Sequence, residues 1–207
     1  MADFGIDTLG FYTAHNFIDL ATLAKERDID VNKFYVGLGQ HKMSVPSPDE
    51  DIVTLGAEAA KCAVETIDVS EIDTLLFATE TGIDHSKAAG IYIHRLLGLP
   101  SRCRVVELKQ ACHSGTSALQ MAIALLYRDP NKKILIVMSD IARYGLGSPG
   151  ESSQGCGAVA MVVSKEPRLL VIEPEYGLFT EDVMDFWRPN YLSEALDMFS
   201  KSDIEGA

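Results

Sequence analysis

Apolar residues fall along the chain in two kinds of block, and the blocks alternate. Residues 5–12 (GIDTLGFY) alternate loosely between apolar and polar positions and predict a first strand. Residues 18–27 (IDLATLAKER) have helical spacing, with Asn16 as the cap. Pro46, Pro48 and Asp49 punctuate a loop. Residues 51–64 then set Ile52, Leu55, Ala59, Cys62 and Ala63 on one helical face, with Cys62 a core thiol. The runs at 74–78 (TLLFA), 104–108 (RVVEL) and 133–139 (KILIVMS) predict short buried strands, separated by helices over 86–97 and 114–127. A Gly/Ser/Pro loop covers 144–157, and residues 158–164 and 169–172 complete the strands. Strands apolar on both faces and bounded by helices imply an α/β fold, a layered sheet covered by helices. Chemistry in such sheets collects at the carboxyl ends of the strands, here Thr79–Glu80, Ala111–Cys112 and Ser139–Asp140.

The texture changes after residue 172. Residues 173–188 are acidic and aromatic and hold the only Trp, and the last stretch has weak helical periodicity and a polar end. No internal repeat or low-complexity tract interrupts the chain. With 18 Lys+Arg against 30 Asp+Glu in 207 residues, the net charge of −12 argues against nucleic acid or an anionic membrane as partner. The composition, 47% hydrophobic and 23% charged, is that of a globular chain large enough to bury a sizeable core. No apolar stretch is long enough to span a bilayer, and the N-terminal segment lacks the pattern of a signal peptide. The four cysteines, at 62, 103, 112 and 156, form neither a CxxC pair nor a zinc-finger spacing, so the expectation is no metal site and reduced thiols in the cytoplasm.

Cys112 joins the strand at 104–108 to the most apolar helix of the chain. A thiol at a helix N-terminus faces unpaired N–H groups and the positive end of the helix dipole, both of which favour thiolate. Gly115 removes side-chain bulk, which would let a ligand approach the backbone. Cys112 reads either as a buried small residue, like Cys62 and Cys103, or as a nucleophile; its position and small neighbours favour the nucleophile. None of His15, His41, His85, His94 and His113 makes a convincing base for it, and each reads more simply as a surface or satisfied histidine. Glu80, placed directly after an apolar strand, would be partly desolvated, which raises a carboxyl pKa toward that of a general acid or base. Its alternative is a solvent-facing acid in an acidic chain.

The segments KFYVGLGQHKM, DEDIVTLGAEAA, FATETGIDHSKAAG, ELKQACHSGTSAL, SDIARYGLGSPGESSQGCGAVAM and TEDVMDFWRP, in that order, resemble the 3-hydroxy-3-methylglutaryl-coenzyme A (HMG-CoA) synthases, thiolase-like condensing enzymes. The bacterial mevalonate-pathway type fits best, and the one small departure is His113, where an aromatic Tyr is common. The resemblance implies the first half of a thiolase-like layered fold, a mixed sheet covered by helices, over 1–189, with 190–207 an irregular tail. It implies an acyltransferase in which Cys112 takes an acetyl group from acetyl-CoA as a thioester. Glu80 then removes a methyl proton and drives attack on acetoacetyl-CoA, and water releases the product. Asp84, Asp140 and Asp185 match acids that support the site. Tyr144 matches the tyrosine of the family's D-I-A-x-Y motif, and Asp30, Val31, Ser148 and Ser153 match positions contacting the CoA thioester.

The resemblance covers only the first of two similar halves. The general-acid His of the second half, with the Asn and Lys residues that hold substrate, has no match here, so the chain reads as a truncated or split gene product. The partners implied are CoA thioesters and either a homodimer or a complementing second half, with no cofactor or metal. Two other functions stay open: an inactive, partner-binding remnant, and a carrier-protein-dependent synthase of polyketide β-branching. A lone half of such a fold should leave a broad apolar face bare.

Overall fold

A computed structural model describes residues 3–183, 186–190 and 192–197. They divide into two compact units, one drawn from residues 3–13, 48–140 and 157–176, the other from 14–47, 141–156 and the described residues from 177 onward.

The first unit is built on a six-stranded sheet. Its strands are β1 (Phe4–Thr13), β4 (Ile72–Ala78), β5 (Arg104–Leu108), β6 (Lys133–Ala142), β7 (Gly155–Lys165) and β8 (Leu170–Val171), in the order β5-β4-β6-β7-β1-β8. β4 runs parallel to β5 and β6, whereas β1 runs antiparallel to β7 and β8, so the sheet is mixed. Helix α5 (Ser114–Arg128) covers one face, where Ala118, Ala122 and Leu126 pack with Leu76, Ile134 and Ile136. Helices α3 (Ile52–Val64) and α4 (Gly90–Leu96) cover the other, where Gly56 meets Ile93 and Val137 and Gly90 meets Leu75, Phe77 and Val105. Alternate residues of β4 and β6 are therefore buried against opposite layers, which is why these strands read as continuous apolar runs.

Helix α3 starts on a capping box: the Asp51 carboxylate accepts from the Val53 and Thr54 amides, and the Asp51 amide donates to Thr54 Oγ1. It lies very close to β1. A Cβ at Gly10 would sit 2.4 Å from the Ala59 carbonyl oxygen and 2.6 Å from the Ala63 amide nitrogen. Gly10→Ala is expected to lower stability by about 1–3 kcal/mol, because the obstruction is backbone that cannot rotate aside; the urea midpoint checks it. The same contact corrects the placement of Cys62. Its Cβ rests over Gly10, but the residue lies at the rim of the buried face and is exposed, unlike Cys103 and Cys156. At the register shift of β1 between Ile6 and Thr8, Arg168 staples the strand: its Nε and Nη2 donate to the buried Asp7 carboxylate at 2.8 and 3.0 Å.

The second unit holds β2 (Asn16–Asp19) antiparallel to β3 (Lys42–Val45), with the short helices α1 (Leu20–Glu26) and α2 (Asn32–Tyr35) between them. Leu20, Leu23, Ala24, Phe34 and Met43 form its core. Asn16 does not cap α1: it sits in β2 and donates to Ser47 Oγ, while Asp19 accepts from the Ala21 amide and does the capping. A short pair, β9 (Phe186–Trp187) and β10 (Leu196–Asp197), follows later in the chain. Asp185 lies outside the described residues.

Candidate active site

In the first unit, the carboxyl ends of β4 and β6 are joined through one carboxylate oxygen. Asp140 Oδ1, near the end of β6, accepts from Thr79 Oγ1 (2.8 Å), the Glu80 amide (2.8 Å), the Thr81 amide (3.1 Å) and Thr81 Oγ1 (2.8 Å). Thr79 is buried and Glu80 half-buried. The backbone that carries Glu80 is thus held by Asp140 from the neighbouring strand rather than left to loop freedom. Thr79 was named from the sequence only as a strand end, and Thr81 was not among the candidates; the hydroxyls flanking Glu80 in Thr-Glu-Thr were the available signal.

Beyond Thr81 the chain does not enter a helix at residue 86. The Asp84 carboxylate accepts from the Ser86 and Lys87 amides at 2.7 and 2.8 Å, and Glu107 of β5 accepts from the Ala89 amide at 2.6 Å, so α4 begins only at Gly90. Those backbone donors hold the Asp84 pKa below the ordinary carboxylate value. Asp84 is exposed and organises this turn, and Glu107 is a further anchor that periodicity did not single out.

Cys112 stands in the turn between β5 and α5. Ala111 before it has a φ of 42°, a left-handed conformation uncommon for a residue with a side chain, and His113 after it is the residue at the head of α5. The buried Ser114 ties the turn by donating its hydroxyl to the Ala111 carbonyl at 2.7 Å. The residue is exposed at the surface, yet its pKa is raised. The first cause is partial desolvation of the sulfur; the next are the negative charges of Glu80 and Asp140. This corrects the expectation that the helix N-terminus favours thiolate. Cys112 lies one residue ahead of the helix head, and a backbone hydrogen bond that lowers its pKa is outweighed. Gly115 also plays a different part, since a Cβ there would meet Met138 Sδ at 2.5 Å; the space is taken by a β6 side chain rather than left for a ligand.

The structure therefore brings Cys112, Glu80 and Asp140 within electrostatic reach of one another. Alkylation of Cys112 by iodoacetamide is expected to rise with pH through a midpoint above the ordinary thiol value of about 8.5. Glu80→Gln removes a negative charge that favours the protonated thiol, so it shifts that midpoint to lower pH. A profile measured by peptide mass spectrometry checks both directions.

The other candidates lie in the second unit. The Asp30 carboxylate accepts from the Asn32 amide at 3.0 Å, and Val31 packs against the small core, with its carbonyl accepting from the Phe34 and Tyr35 amides. Gly150 lies against the Tyr144 ring, where a Cβ would come within 2.9 Å of Cγ. The Ser148 amide donates to the Gly145 carbonyl, and Ser153 Oγ donates to the Gly150 carbonyl at 2.8 Å, leaving that hydroxyl able to act toward a ligand as an acceptor. Between these serines the buried Glu151 carboxylate accepts from Arg27 Nε (2.8 Å), Arg27 Nη2 (2.7 Å) and the Gly147 amide (2.9 Å). Among the described residues no group of His, Cys, Asp and Glu is placed to hold a metal ion, and no helix is long and apolar enough to cross a membrane.

A mixed sheet covered by helices, with a thiol in a strained strand-to-helix turn beside two carboxylates, is the first half of a thiolase-like layered fold. Residues 1–167 match the family described as hydroxymethylglutaryl-coenzyme A synthase, N terminal, and the chain belongs to that family. It is 44% identical over 185 residues to a hydroxymethylglutaryl-CoA synthase of Enterococcus faecalis, covering 89% of this chain and 48% of that protein. It is 37% identical over 213 residues to a polyketide biosynthesis 3-hydroxy-3-methylglutaryl-ACP synthase of Bacillus subtilis, covering 95% and 50%. A solved HMG-CoA synthase complexed with CoA superposes with a TM-score of 0.93 at 40% identity, over 97% of this chain and 52% of that one. The chain spans about half the length of the relatives it matches.

Proposed function

We propose that this chain is the nucleophile-bearing half of an HMG-CoA synthase, a cytoplasmic acyltransferase that supplies the mevalonate route to isoprenoids. The observation that carries the reading is the grouping of the Cys112 thiol with the Glu80 and Asp140 carboxylates at the carboxyl ends of the strands. Cys112 loses its proton to a neighbouring carboxylate and attacks the acetyl-CoA carbonyl, and the thioester bond to CoA breaks as the leaving sulfur takes that proton back and departs as the CoA thiol. Glu80 then takes a methyl proton from the acetyl-cysteine. The resulting carbanion attacks the ketone of acetoacetyl-CoA, and water cleaves the cysteine thioester to free HMG-CoA. Asp30, Val31, Tyr144, Ser148 and Ser153 contact the CoA thioester in this reading, and Asp84, Asp140 and Asp185 support the site. The residues need no metal or prosthetic group for these steps.

The ketone must also be polarised, and the family's general-acid His has no counterpart among these residues, so in this reading condensation also needs the family's second half. An exposed apolar strip on the first unit supports that need. Leu9 and Phe11 of β1 lie opposite Met161 and Val159 of β7, with Leu9 51% and Phe11 67% exposed. The B. subtilis relative, named as acting with ACP, supports a second reading in which a carrier protein delivers the acetyl group. Incubating the chain with acetyl-CoA, or separately with acetyl-carrier protein, and recording its intact mass tests both. An adduct from acetyl-CoA is the expected result. An adduct only from the carrier protein selects the second reading, and none from either, with a complementing half present, leaves an inactive remnant.

A further inference from the structure

We infer that the Arg27–Glu151 pair is a positioning element that holds the loop carrying Tyr144, Ser148 and Ser153 in its coenzyme-binding shape; this rests on the CoA-binding reading above. The loop between β6 and β7 has little regular structure of its own, only the 3₁₀ turn Glu151–Ser153. Its local hydrogen bonds are short-range, such as Ser148 to Gly145 and Ser153 to Gly150. Such a segment loses much conformational entropy on ordering and needs a long-range tie. Glu151 supplies one. Its side chain is 8% exposed, yet it carries three donors, two from Arg27, 124 residues away in sequence, and one from Gly147 within its own loop.

The geometry is specific. Arg27 presents Nε and Nη2 to the two carboxylate oxygens as a fork, which a lysine cannot reproduce. The third donor is the amide of Gly147, whose φ of 76° is a left-handed conformation that suits glycine. Glu151 thus fixes both its own turn and the bend four residues before it, with Ser148 between the two. On the other side, Arg27 closes α1, Asp28 follows at a φ of 52°, and the chain runs directly into Asp30 and Val31. The two segments expected to touch the coenzyme are therefore linked by an ion pair whose carboxylate is buried. The guanidinium keeps the Glu151 carboxyl below its ordinary pKa, so the pair stays charged across neutral pH.

Free coenzyme A titrated into the full chain by calorimetry, together with amide hydrogen exchange over residues 145–154, tests this. Glu151→Gln is expected to weaken coenzyme A binding roughly five- to thirtyfold, the range spanned by 1–2 kcal/mol, and to speed exchange in the loop. The half-saturating acetyl-CoA concentration for adduct formation should rise while the limiting rate changes little, the signature of lost uniform binding. Arg27→Lys should fall between native and Glu151→Gln, and the exchanged pair Arg27→Glu with Glu151→Arg should recover part of the affinity. Loop exchange as slow in Glu151→Gln as in the native chain overturns the inference. So does faster exchange with unchanged coenzyme A affinity. If the native chain does not bind coenzyme A, the functional reading fails and takes the positioning role with it, whereas the two preceding results remove the positioning role alone.

Discussion

A Cys112→Ala chain is expected to take up no acetyl group from acetyl-CoA, whereas Cys62→Ser should be acetylated as fully as the native protein. The contrast is informative because both thiols are exposed and an unspecific acyl donor would reach either. What separates them is surroundings. Cys62 lies at the rim of α3 over Gly10, while Cys112 stands in a strained turn with two carboxylates near enough to alter its ionisation. Those carboxylates disfavour a resting thiolate, so a proton acceptor close by must act as the sulfur attacks, and Glu80 and Asp140 are the acids that face it. Cys103 is no competitor, because burial pushes its thiol up to about 11. Intact mass after incubation reads the adduct, and peptide mapping assigns it. An adduct that persists in Cys112→Ala would move the nucleophile elsewhere.

Asp140→Ala should separate two steps that depend on the same site in opposite ways. It removes a negative charge beside the sulfur, so Cys112 ionises more easily and its alkylation by iodoacetamide should hold or quicken. It also removes the oxygen that gathers Thr79 Oγ1, the Glu80 and Thr81 amides and Thr81 Oγ1. Glu80 then loses its fixed placement, and a misplacement of about 1 Å costs on the order of a hundredfold in rate. Deuterium uptake from heavy water into the methyl group of the acetyl adduct measures that step, and it should slow by roughly this factor. Asp140→Asn keeps an acceptor oxygen with no charge, so it should retain most of the uptake. Equal slowing of both steps in Asp140→Ala would mean that the substitution damages the unit generally.

The strands at 74–78 and 133–139 were legible because each is buried on both faces, which leaves an unbroken apolar run. β2 and β3 were not, since four-residue strands with exposed polar positions carry no such signal. Helix α4 was placed four residues early: residues 86–89 have helical composition, but Asp84 and Glu107 take up their backbone groups in a turn. Cys62 fits the helical period of the core face, and only the position of β1 beneath α3 decides that it falls at the rim. At the candidate site, Cys112, Glu80 and Asp140 could all be picked out from the rule that strand ends carry chemistry, and the family motifs gave each an expected role. The number of donors on Asp140, and the upward shift at Cys112, depend on distances between segments far apart in sequence. The Arg27–Glu151 pair was equally hidden, because neither residue stands out among its neighbours.

The place of β1 in the sheet has a consequence for how the molecule is made. It leaves the ribosome well before its partners β7 and β8, which lie within residues 155–171. Until those emerge, β1 has no neighbour in the sheet and Leu9 and Phe11 hang on a nascent strand with open edges, a template for pairing with other chains. Closing so long a stretch is slow, so the sheet waits for β7 and β8, and a chaperone that shelters β1 as it emerges should raise the yield of folded protein.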